Sequence, residues 1–115
     1  MIVSHKDNVK EKRINNPEVK DALMKVLISP KEGWEGHVMR VFELGEGGHT
    51  PRHTHPWPHI NYIIKGEGVL HLEGEDKEIK AGSFAYVPAG KLHQFMNKGK
   101  ETLEFICIVP EEGHK

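Results

Sequence analysis

The sequence of 115 residues holds a single cysteine, Cys107, so no disulfide can form within the chain. That fits a reducing compartment. It also has no run of about 18 apolar residues, the length a membrane-spanning helix needs. The start, Met1-Ile2-Val3-Ser4-His5-Lys6-Asp7, has no apolar stretch behind a basic head, which argues against a secretory signal. The expected location is therefore the cytoplasm. An excess of either charge is missing too: 16 basic side chains face 17 acidic ones, for a formal net charge of -1. That balance gives no reason to expect nucleic acid or an anionic membrane as partner. Three catalytic signatures are lacking: a Ser-His-Asp arrangement, a phosphate-cradling glycine loop before a helix, and paired zinc-type cysteines. No repeat, low-complexity tract or linker divides the chain, and its length suits one domain.

What is present is strand pattern and histidine. Hydrophobic residues make up 37% and charged residues 29%, a composition that folds. Apolar runs of strand length alternate with glycine, proline and charged pairs. Candidate strands are Leu23–Ser29, His37–Leu44, His59–Lys65, Val69–Glu73, Lys77–Lys80, Phe84–Val87, His93–Asn97 and Thr102–Val109. Pro17-Glu18-Val19 has the form of a helix start, but β-branched Val26 and Ile28 just before Pro30 favour a strand there. Turn signals at Gly45-Glu46-Gly47-Gly48, Gly66-Glu67-Gly68, Gly74-Glu75-Asp76 and Pro88-Ala89-Gly90 separate the runs. With no strong helix between strands, the expected class is an all-β antiparallel sandwich or barrel. The tail, residues 111–115, is expected to fray.

Nine histidines are many for this length, and imidazole is the commonest metal ligand among side chains. His53 and His55 are two apart, so on an extended segment they point to one side. His59 follows Pro56-Trp57-Pro58, where two prolines bend the chain. His93 comes from far along the sequence, as a site that surrounds an ion requires. These four point to one divalent transition-metal ion: manganese, iron, zinc, copper or nickel. His5, His37, His49, His71 and His114 are expected at the surface, and Arg52, of opposite parity to His53, in solvent.

The spacing extends into a longer pattern. Gly47, five residues, His53-Thr54-His55, three residues, His59, six residues and Gly66 make one half. Gly82, five residues, Pro88-Ala89-Gly90, two residues, His93, three residues and Asn97 make the other. Over about residues 37–110 this resembles the two motifs of the cupin superfamily. The resemblance implies a double-stranded β-helix, or jelly-roll, barrel with a metal inside its mouth. It divides the chain into an N-terminal arm, residues 1–36, a barrel, residues 37–110, and the tail. Where the first motif usually has Glu, this chain has His59, which resembles a group of compact four-histidine cupins, one of them manganese-binding. Those share His-x-His-Pro-Trp-x-His, here His53 to His59, and a cysteine in the last strand, here Cys107. Small members commonly form homodimers through N-terminal strands, for which Leu23–Ser29 is available.

Four neutral ligands leave both charges of the ion uncompensated, so an anionic ligand should bind readily. Six-coordination would leave two positions open for Lewis-acid or oxygen chemistry, whereas a tetrahedral zinc would be saturated. Asn61 shares the inward face with His59 and is a pocket candidate, as are Phe95, Cys107 and Trp57. Glu104 should face outward, opposite Cys107. No inward Glu or Lys is evident as a general base. The leading expectation is a small dioxygenase-like oxidoreductase acting on an oxygen-bearing small molecule. The alternatives are a cupin isomerase and a non-catalytic module that binds or senses a small molecule or metal.

Overall fold

The computed structural model describes residues 1–114; Lys115 lies outside the described residues. Nine strands follow in order: β1 (Lys12–Arg13), β2 (Lys20–Ile28), β3 (His37–His49), β4 (His59–Lys65), β5 (Glu67–Leu72), β6 (Glu75–Lys80), β7 (Phe84–Val87), β8 (His93–Asn97) and β9 (Leu103–Pro110). All pairings are antiparallel, in the order β6-β5-β8-β3-β9-β4-β7, with β2 laid on β3 and β1 on β2. The sheet rolls into a nearly closed barrel. Helical structure among the described residues is confined to three short 3₁₀ turns.

The core explains the order. Leu44, Ile63, Leu70, Val87, Phe95, Leu103 and Phe105 are buried in one cluster. Phe105 lies between two rings, with Phe95 stacked at 4.2 Å and Phe42 at 5.5 Å between centroids. Each such side chain contributes about 1.5–3 kcal/mol through burial. A second, smaller cluster of Val38, Cys107 and Val109 continues toward the mouth.

Every candidate strand is present, His59–Lys65, Phe84–Val87 and His93–Asn97 with the expected bounds and the others with shifted ends. The largest difference is at Gly45-Glu46-Gly47-Gly48, expected as a turn. Here β3 runs straight through these glycines to His49. The register explains it: Ala22 pairs with Leu44 and Lys20 with His49, so five steps on β3 face two on β2, a large bulge. Gly48 is needed there because a Cβ would lie 2.9 Å from three backbone carbonyl oxygens. The bulge carries the chain off the sheet just before the histidine loop.

Other expectations also change. The C-terminal residues do not fray: Glu111–His114 form a 3₁₀ turn that sets Gly113 against Trp57 and Val109. Glu104 does face outward, yet it is only 5% exposed, because the N-terminal arm covers it and Lys6 Nζ lies 3.1 Å from its carboxylate. His71, expected at the surface, is buried; His49 and His114 are half-buried. Asn97 of the second motif is a pin for the fold. It donates to the carbonyls of Leu44, Gly45 and Glu101 at 2.9–3.0 Å and accepts from the Gly99 amide.

Candidate metal centre

The loop after β3 is laced along β8, which is how residues 40 positions apart meet. Thr50 exchanges hydrogen bonds with Phe95 through its amide, 3.0 Å, and its hydroxyl, 2.9 Å. His53 and His93 then pair backbone to backbone, both bonds 3.1 Å. The Pro88-Ala89-Gly90 turn closes on the same loop, the Gly90 amide donating to the His55 carbonyl at 2.8 Å. Gly90 adopts φ +79, so glycine suits this position.

Three imidazoles converge at the barrel mouth as a result, with a fourth beside them. One ligand atom from each of His53, His55 and His93 lies within 4.8 Å of the others. His59 stands outside that three-residue group, but its Nε2 lies 3.2 Å from His93 Nε2 and its ring 5.3 Å from that of His55.

The outer nitrogens decide what this cluster can do. His55 Nδ1–H donates to the Trp57 carbonyl at 2.7 Å, and His93 Nδ1–H to the Lys91 carbonyl at 2.8 Å. His59 Nδ1–H donates to Asn61 Oδ1 at 2.6 Å, and Asn61 Nδ2 in turn donates to the Ile106 carbonyl at 3.2 Å. With each Nδ1 carrying the proton, each Nε2 presents a lone pair inward. His59 and His93 thus aim two lone pairs at each other across 3.2 Å, which is repulsive unless a cation lies beside them. Held Nδ1–H groups with free Nε2 atoms are the arrangement of metal-binding histidines. The residues fit a divalent metal ion.

Burial favours the neutral form of His53, His59 and His93. It pushes His59 down to about 3, the Asn61 hydrogen bond opposing and the neighbouring His93 and His55 assisting. His53 is pushed down to about 4 by burial, then by His93 and His55. His93 is lowered chiefly by burial. Ligand-ready, unprotonated imidazoles are therefore present at neutral pH.

All the pocket candidates line one cavity of about 230 Å³ with the histidines. Trp57 stacks flat on His55, 9° from parallel at 5.1 Å. Phe95 forms part of the floor. Cys107 is buried in a cross-strand row with Arg40 on β3 and Asn61 on β4. Arg40 was not among the expected site residues, although its place two residues before Phe42, on the same face of one strand, was a usable signal. Residues Ile14, Asn16 and Val19 of the arm also reach the cavity, which no periodicity could have disclosed. Arg52 is exposed as expected, but it is anchored: Nη2 donates to His71 Nε2 at 2.6 Å, and His71 Nδ1–H to Asp76 at 2.7 Å.

Comparison with known proteins agrees with this geometry. The Cupin domain family matches residues 40–109. An oxalate-binding protein of Thermotoga maritima is 37% identical over 68 residues, 58% of this chain and 56% of that protein; the match thus spans about half of that relative's length. Among solved structures, a polyketide cyclase from Streptomyces resistomycificus superposes with a TM-score of 0.89 at 29% identity, covering 96% of this chain and 80% of that one. A Thermotoga maritima protein described as a predicted oxalate decarboxylase gives a TM-score of 0.86 at 29% identity, covering 95% and 98%. In fold, motif and sequence, the chain belongs to the cupin domain family.

Proposed function

We propose that His53, His55, His59 and His93 hold one divalent transition-metal ion and that the chain is a small metal-dependent oxidoreductase, dioxygenase-like, acting on an oxygen-bearing small molecule. The facing Nε2 lone pairs of His59 and His93 carry the first half of this reading. When bound, the ion supplies Lewis-acid and redox chemistry at the positions the histidines leave open. The protein's own part is to orient and to exclude. Asn61 and the Trp57 and Lys91 carbonyls fix the rings, Trp57 and the turn at Gly113 wall the mouth, and Phe95 and Phe105 keep the floor dry.

Among the described residues, no Asp, Glu or Lys lines the cavity. A carboxylate or amine base for moving protons is absent from that lining, which favours oxidation over an isomerase reaction. Similarity to an oxalate-binding protein and a polyketide cyclase supports a small-molecule ligand. The test is oxygen uptake by the metal-loaded chain with diketones, phenols and short oxygenated acids. Saturable binding without uptake, whatever the metal, would favour the second reading, a binding or sensing module.

We further propose a homodimer. No helix of the described chain is long and apolar enough to cross a membrane, yet the outer faces of β4 and β7 expose Ile60, Tyr62, Phe84 and Tyr86, with Phe84 82% exposed. A contiguous patch of this kind is a contact surface. It is a stronger candidate than the β2 strand, whose apolar residues are largely covered.

A further inference from the structure

We infer that Arg40 is the anion-recognising residue of the cavity, and that the ligand is a short organic acid with a second oxygen beside its carboxylate: a 2-oxo acid, a 2-hydroxy acid or a small dicarboxylate. The part played by the second oxygen rests on the metal centre proposed above; the part played by Arg40 does not.

The placement comes from the sheet register. Arg40 pairs with Cys107, and Cys107 with Asn61, across β3, β9 and β4. Asn61 holds His59. Two strand spacings, about 10 Å, separate the Arg40 and Asn61 backbones, a gap that a long side chain narrows. Arg40 and the four histidines line the same cavity.

The guanidinium is under-used where it lies. Of its five N–H donors, one Nη2 bond reaches Cys107 Sγ at 3.1 Å, and a thiol is a weak acceptor. The group also sits over the Phe42 ring, 5.0 Å from its centroid. Its Nε is buried and has no hydrogen-bond partner among the described residues. Nor do the described ion pairs include Arg40. A planar cation with free donors matches a carboxylate, which takes two parallel N–H bonds from a guanidinium.

Charge and size narrow the class. No acidic side chain lines the cavity among the described residues, so neither Arg40 nor an ion held by neutral imidazoles has a protein counter-charge there. An anion supplies what both lack. At about 30 Å³ per water, the cavity of about 230 Å³ takes a molecule of few heavy atoms. A carboxylate on Arg40 with an adjacent oxygen directed to the histidines uses both ends of that space.

Titration calorimetry on the full chain tests this, with pyruvate and oxalate as probes and methyl pyruvate as the neutral control, both metal-free and saturated with manganese. Arg40→Met removes the charge and retains bulk, and Arg40→Lys retains charge without the fork. Thermal melts confirm that both fold. The expected result is that Arg40→Met weakens pyruvate about 10- to 100-fold, that Arg40→Lys falls between, that metal affinity does not fall, and that methyl pyruvate binding stays unchanged. Equal pyruvate affinity in Arg40→Met and the parent would overturn the inference, as would equal affinity of the parent for pyruvate and its methyl ester. Arg40-dependent pyruvate binding in a chain that takes up no metal would overturn the metal centre and support the anion site. Normal metal uptake with pyruvate binding indifferent to Arg40 would do the reverse.

Discussion

Asn61 links the fold to the proposed metal centre, and replacing it by leucine separates the two roles. The side chain is 4% exposed; it accepts from His59 Nδ1 at 2.6 Å and donates to the Ile106 carbonyl at 3.2 Å. Leucine fills similar space and makes neither bond. The His59 N–H then lies buried without an acceptor, which costs about 1–3 kcal/mol. The ring can escape this cost by turning or by exchanging its proton to Nε2, and either change removes its lone pair from the cluster. Loss of such an orienting partner weakens metal binding about 10- to 100-fold. Asn61→Asp retains the acceptor and adds charge behind the ring, so it should hold metal at least as tightly as the parent. The assay is competition titration against a chromophoric chelator, with urea denaturation of the metal-free variants alongside. Asn61→Leu with parental metal affinity would refute the claim that this hydrogen bond holds His59 in place. A drop in both variants together would assign the effect to packing.

Three further outcomes are expected. Since His53 and His59 stay neutral in the folded chain down to about 4 and about 3, the unfolded chain binds more protons from about pH 6.5 downward. The metal-free fold therefore keeps this stability above pH 6.5 and loses it progressively as pH falls toward 3. His59 contributes a slope of up to about 1.4 kcal/mol per pH unit. Denaturant melts at pH 7.5, 5.5 and 4 measure it, and His59→Gln should flatten the curve; an unchanged slope would remove His59 from the explanation. His59→Glu cancels one charge of the ion and supplies an oxygen donor, so chelator competition should show manganese gaining on nickel and copper relative to the parent. Finally, Phe84→Lys with Tyr86→Lys should convert a homodimer into a monomer by light scattering at micromolar concentration, and a parent that is already monomeric would dispose of that interface.

Much of this was legible in the residues because two kinds of signal coincide there. Strand alternation and turn residues located β4, β7, β8 and β9 closely, and the spacing of His53, His55, His59 and His93 located the cluster. Asn61 followed from parity, and Cys107 from parity together with the family resemblance. What the sequence concealed depends on tertiary approach. Gly45 to Gly48 reads as a turn, since nothing local shows that β2 supplies two residues where β3 supplies five. His71 reads as surface because its partners, Arg52 and Asp76, come from a separate loop and the neighbouring strand. Glu104 reads as solvated until the arm brings Lys6 over it. Arg40 was overlooked for a related reason. A cation between apolar residues suggests an outer face; its parity with Phe42 points the other way, and the pairing with Cys107 settles it.

Metal content most directly tests the central claim. The chain, purified from its native host and measured by elemental analysis with X-ray absorption at the metal edge, should contain one divalent transition-metal ion per chain. The edge spectrum should show imidazole nitrogen in the first shell, and the ion should be lost in His93→Ala. A chain isolated without metal, and unable to take up manganese, iron, nickel, copper or zinc in titration, would contradict the account.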